Sequence, residues 1–228
     1  MTLVAKTLAR TYRPVVLWFL CTVTVVAVVT TVVAARVSDL GYSFWLVVLG
    51  HSTKWWLLVI GTLLIATHLK LYVANGITRR DFLLGSALFG AGTALAFALL
   101  IPIGHGVEHL VWTIAGTPPA GYPEFSAAEA VREFGHYLPI ELGFLSSGAF
   151  IGAGFYRFHW WAGLLLILPG IMPAIAADAL LGSVGAEPPG THGLPYAGAL
   201  AVSLVVTVLM AAMVGAAMRD VAIRRTAG

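Results

Sequence analysis

Six stretches of this chain are apolar for long enough to cross a bilayer, and no other feature restricts its fold as much. They fall near residues 14–35, 45–69, 82–103, 137–156, 159–180 and 195–217 of 228. A spanning helix needs roughly 20 apolar residues. In hydrocarbon its backbone N–H and C=O groups must bond within the segment. Almost no chain is left over for a separate soluble domain. Only 10% of the residues are charged, against about 25% in a soluble domain. The expected fold is all-α: a polytopic membrane protein of six transmembrane helices, forming one domain over 1–228, with the lipid bilayer as its first partner.

Charge placement sets the orientation. With the amino terminus inside and six crossings, both termini are cytoplasmic. Lys6, Arg10, Arg13, Lys70, Arg79, Arg80, Arg157, Arg219, Arg224 and Arg225 then fall on the inner side. Asp39, Glu108, Glu124, Glu129, Glu133, Glu141, Asp178 and Glu187 fall outside. The inverted arrangement would break the positive-inside rule. The net charge of +3 is thus a topology signal, and it does not point to nucleic-acid binding. Cys21 is the single cysteine, so no internal disulfide holds the outer loops. The first apolar run exceeds a signal-peptide core and reads as a retained helix.

Between the second and third runs lies a polar hinge over 67–82. Asn75-Gly76 readily ends a helix in the left-handed conformation. Thr78 with Asp81 three residues later is a helix N-cap signature, its carboxylate placed where the helix dipole favours it. Residues 1–13 place Lys6, Arg10 and Arg13 on one helical face, as a short helix on the inner leaflet or a basic anchoring tail. Phe44–Lys54 is expected as a helical extension at the outer surface, with Trp55 near the interface. The segment 105–136 is expected as an outer loop with short helices. Pro118, Pro119 and Gly121 break it, and Ser126 and Glu129 form a capping box. Ser86-x-x-x-Gly90, Gly148-x-x-x-Gly152 and Ala211-x-x-x-Gly215 allow close helix approach. Pro169 and Pro173 must bend or break the fifth crossing.

Chemistry is sparse. His105-Gly-Val-Glu108-His109 reads H-x-x-E-H, a zinc-peptidase pattern when helical, and histidines at i and i+4 could share a metal. The competing reading is a set of interfacial polar residues, with Gly106 inside the motif and no strong third ligand, Glu124, Glu133, His136 and Glu141 being partners only by distant folding. Glu141 and Asp178 lie inside apolar runs, where carboxylates are costly and often functional. Close to the outer surface, they would be hydrated, and could line an outward path or bind a cationic substrate. No P-loop, G-x-S-x-G or paired-cysteine motif occurs, so no catalytic or cofactor-binding residues are assigned.

The hinge carries a further pattern. Tyr72-Val-Ala-Asn75-Gly76-Ile-Thr78-Arg79-Arg80-Asp81-Phe82-Leu-Leu-Gly85 resembles the N/H-G-(V/I)-(T/S)-R-R-x-F-x-x-G segment between the second and third helices of type-2 ATP-binding-cassette (ABC) permeases. The short bacterial members have six helices, both termini inside, and a separately encoded ATPase. The resemblance implies a plasma-membrane exporter subunit, working with a second identical or similar permease chain and a cytoplasmic ATPase that binds ATP and Mg. Asn75, Gly76, Ile77, Thr78, Arg79, Arg80 and Phe82 would form the ATPase contact. The substrate would be amphipathic, a peptide, drug or lipid. Glu141, Asp178, Pro169 and Pro173 are candidates for its path. In well-known exporters of this type the large outer segment lies between the last two helices, whereas here it lies between the third and fourth. Lid and pocket residues are therefore not carried over. Two alternatives remain at this point: a membrane-embedded metal-dependent enzyme using His105, Glu108 and His109, and a non-transporting membrane scaffold.

Overall fold

The computed structural model describes residues 1–37, 42–116, 122–158, 160–181 and 195–219. Asp39, Pro118, Pro119, Gly121, Glu187, Arg224 and Arg225, and the side chains of Arg36 and Arg219, lie outside that description. The described chain is all-helical. The helices are α1 (Thr2–Val37), α2 (Phe44–Leu63), α3 (Leu69–Ala74), α4 (Arg79–Ala115), α5 (Ala127–Arg157), α6 (Trp160–Leu165), α7 (Ile167–Leu181) and α8 (Tyr196–Arg219). Among the described residues six spans are long and apolar enough to cross a membrane: Thr2–Ala34, Phe44–Ala74, Arg79–Ala115, Ala127–Arg157, Gly163–Leu181 and Tyr196–Met218.

Several helices run further than their apolar cores. Residues 1–13 do not form a separate segment: α1 starts at Thr2 and passes through Pro14. The ring removes one N–H, yet Val4, Leu8 and Tyr12, at i, i+4 and i+8, are buried and hold the first turns down. Lys6, Arg10 and Arg13 stay exposed on the other side. The region 105–136 likewise holds no independent short helices among its described residues. His105 to Ala115 are the last turns of α4, which stops at Gly116 with φ +68°. Ser126 accepts from Glu129 N at 3.2 Å and caps α5 itself. The expected Phe44–Lys54 extension is helical and is continuous with the crossing that follows, as one helix α2.

Two irregularities interrupt the regular helices. Between α2 and α3 the chain makes one π turn, Leu64–His68. There the Thr67 hydroxyl donates to Leu63 O at 2.5 Å, and His68 Nδ1 lies 3.2 Å from the same carbonyl. The fifth crossing breaks between α6 and α7 at Leu166. Pro169 has no N–H for the Leu165 carbonyl and its ring crowds that carbonyl, so the break lies one turn before the proline. Pro173 is accommodated inside α7.

Helix α5 is the centre of the bundle and packs on α2, α4, α7 and α8, while α1 lies outside against α2 and α4. Glycines bring α5 against α2. A Cβ at Gly61 would meet the Leu145 carbonyl, and one at Gly148 would meet the Leu58 carbonyl. The expected Gly148–Gly152 seam is thus a contact with α2. At Gly215, by contrast, a Cβ would find nothing within 4 Å, so the Ala211–Gly215 pair makes no such approach within the chain.

Candidate functional site

The hinge is a helix stop and a helix start joined by two residues. Helix α3 ends in a Schellman motif: Ile77 N donates to Tyr72 O at 3.1 Å and Gly76 N to Val73 O at 3.0 Å. Gly76 has φ +82°, which only glycine takes without strain. Asn75 Nδ2 donates to Leu71 O at 2.8 Å, satisfying another terminal carbonyl. Thr78, extended at φ −66° and ψ 147°, then caps α4. Its hydroxyl accepts from Asp81 N at 3.1 Å and donates to Asp81 Oδ2 at 2.8 Å.

The turn is anchored on one side and open on the other. Phe82 is fully buried and packs on Tyr72 with ring centroids 5.1 Å apart. Its side chain therefore seats the turn in the core rather than offering a contact surface. Ile77 and Arg79 are half-buried, whereas Asn75, Gly76, Thr78 and Arg80 are exposed. A Cβ at Gly76 would meet nothing within 4 Å. The Met1 amino group lies 3.5 Å from Asp81, and Met218 of α8 joins the cluster that holds Phe82. The turn, the amino terminus and the described end of α8 therefore share one end of the bundle. Exposed Lys6, Arg10, Lys70, Arg80 and Arg157 are gathered towards it.

At the other end, polar side chains enter the bundle. Lys54, on α2, is 5% exposed and donates to Asp178 Oδ2 of α7 at 2.7 Å. Glu141 is fully buried and contacts the Thr53 hydroxyl, so it is not hydrated as its position near the outer surface had implied. Asp178 retains partial exposure, but its charge is matched by Lys54. The charges of Lys54 and Asp178 reach both Glu141 and His136. Lys54 escaped the sequence reading as a buried charge, whereas Glu133 and His136 were legible there only as distant candidate partners of the H-x-x-E-H residues. A lysine and an aspartate, each inside an apolar run, were the available signal for the first of them.

The H-x-x-E-H residues turn to different partners. His105 is fully buried with Nδ1 at 2.6 Å from Glu133 Oε1. Glu108 accepts from the hydroxyls of Ser43 and Tyr122, the latter at 2.9 Å. Burial, with the Glu108 carboxylate beside it, pushes the Tyr122 hydroxyl well above its usual range, which keeps it a donor. His109 faces the rings of Tyr122 and Phe125, each with centroids 6.2 Å away. Among the described residues no three His, Cys, Asp or Glu side chains gather as a metal site would require. His105 Nε2, Glu133 Oε2 and Glu141 Oε2 are buried without a hydrogen-bond partner.

No family model matches the chain, and no curated protein or solved structure matches it either. The functional reading therefore rests on the residues and their geometry.

Proposed function

We propose that this chain is the membrane-spanning permease subunit of an ABC exporter. ATP and Mg are bound by a separate cytoplasmic ATPase, and the chain itself carries no catalytic or cofactor site. The observation that carries this reading is the Asn75–Phe82 turn. It is stiffened by interlocking caps, exposed on its outer face, and rooted in the core through Phe82. A flexible loop would absorb a push from a partner. A capped turn rooted in two long helices passes it on, and α4 and the α2–α3 unit both lean on central α5. The guanidinium of Arg80 stands out to meet acidic groups on the ATPase, whereas Arg79 is half-buried beside it.

In this reading the end bearing the turn faces the cytoplasm of a bacterial cell. The exposed Lys6, Arg10, Lys70, Arg80 and Arg157 at that end satisfy the positive-inside rule. Two permease chains, identical or similar, form the path for an amphipathic peptide, drug or lipid moved outward. Closure of the ATPase pair drives the turn and shifts the bundle between inward and outward access. The break before Pro169, with Pro173 beyond it, is the candidate bending point. A cationic group on the substrate would have to displace Lys54 to reach Asp178.

The test is affinity purification of the tagged chain from its native membranes in mild detergent. The expected outcome is co-purification of a protein carrying G-x-x-x-x-G-K-[ST]. Gly76→Val with Arg79→Glu should abolish that association and leave membrane insertion intact. Undiminished recovery of the ATPase with the double variant would contradict the assignment.

A further inference from the structure

Helices α4 and α8 both pack on α5 but hardly meet each other. Between them lies a cleft of about 700 Å³ floored by α5. Its walls are mostly apolar, with Ala87 and Ala91 on α4, Leu145 and Ala149 on α5, and Ala211 and Met218 on α8 among them. Ala87, Ala91 and Ala211 are exposed, so the cleft opens sideways into the membrane. A volume of this size is within the range of sites that enclose a small ligand.

Two features make it more than a packing gap. Arg79 and Arg80 line its end beside the amino-terminal turn of α4. Neither guanidinium has an ion-pair partner within 4.0 Å among the described residues. Lower on the same wall, Ser86 is 5% exposed and its hydroxyl has no hydrogen-bond partner. A buried polar atom normally has a partner, and this one lies beneath the wall of the cleft without one. Cations at one end and apolar walls beyond follow the order of groups in a phospholipid, phosphate and then acyl chain.

We propose that the cleft between α4 and α8 seats an acyl lipid of the surrounding leaflet, with its anionic phosphate head held by Arg79 and Arg80. Charge decides against a second copy of this chain as the occupant. The same end of a second copy would bring Lys6, Arg10, Lys70 and Arg157 towards these arginines. An anionic headgroup in the adjacent leaflet is instead attracted to them. The inference shares Arg79 and Arg80 with the proposed ATPase contact, and variants at Ala87 and Ala91, outside that contact, separate the two.

Retention of defined lipids by the purified chain, read by native mass spectrometry in detergent, tests it. The probes are phosphatidylglycerol, phosphatidylcholine of the same chain length, and glycerol phosphate without acyl chains. Phosphatidylglycerol should be retained about tenfold more strongly than phosphatidylcholine, as expected for charge-assisted hydrogen bonds. Glycerol phosphate should not compete. Arg79→Gln with Arg80→Gln should reduce phosphatidylglycerol to the phosphatidylcholine level. Ala91→Trp, which fills the cleft from an exposed position, should lose retention of both lipids, and Ala87→Leu repeats that test with a milder change. Neither cleft variant should alter recovery of a co-purifying ATPase, which separates this inference from the docking of the turn. Equal retention of the two lipids by the unaltered chain would overturn the proposal. So would effective competition by glycerol phosphate. Dissociation of a dimer by Ala91→Trp with lipid retention unchanged would assign the cleft to a second copy.

Discussion

Lys54 and Asp178 stand 124 positions apart in the chain and meet at 2.7 Å. Their surroundings are unequal: the lysine side chain is 7% exposed and the aspartate 31%. That inequality makes a directional prediction. Asp178→Leu strands a buried ammonium and is expected to cost about 3–5 kcal/mol. Lys54→Met strands a carboxylate that still reaches water, so its cost should be smaller. The double variant, with apolar groups on both sides, should return close to the original stability. Denaturation of the purified protein in detergent measures all three. Equal costs for the two single variants would contradict the burial assigned to each partner. The same pair explains why Lys54 was misread. A local window shows it beside His51, Ser52 and Thr53, which looks like a surface segment, and its neutralising partner lies on a helix that the window cannot include.

At the scale of helices, close approach is concentrated on one seam. Gly61 and Gly148 let α2 and α5 bring backbone against backbone, where a Cβ would strike a carbonyl oxygen rather than a movable side chain. Gly148→Ala is therefore expected to destabilise by about 1–3 kcal/mol. Gly92→Ala, on a face where a Cβ meets nothing within 4 Å, should instead stabilise by about 0.5–1 kcal/mol. Melting curves of the two variants give the comparison, and a neutral Gly148→Ala would remove the seam from this account. Elements set by local chemistry were legible in the sequence: the caps at Asn75-Gly76 and Thr78, the Ser126 cap, the proline break. The continuation of α1 through Pro14 was not. It depends on Val4, Leu8 and Tyr12 finding a surface to pack on, which periodicity alone does not reveal. The π turn at Leu64–His68 is hidden for a related reason, since its sequence is an ordinary apolar helix with one threonine.

For the whole molecule, the six spans leave one end rich in exposed cations and the other with ionisable groups drawn into the helices. The number of crossings was readable because each apolar run is long. The polar cluster at the far end was only partly readable. Glu141 and Asp178 announce themselves as carboxylates in apolar runs, but the pairing of His105 with Glu133 joins α4 and α5 from positions 28 residues apart. What the bundle does depends on whether its cation-rich end meets a motor. A photo-crosslinking residue placed at Ile77 in the native membrane tests this most directly, with the same residue at Ile114 on the far end as control. The account predicts that Ile77 becomes covalently joined to a P-loop ATPase and that Ile114 does not. Crosslinks from Ile77 to lipid alone, in cells where the chain is assembled and active, would contradict it.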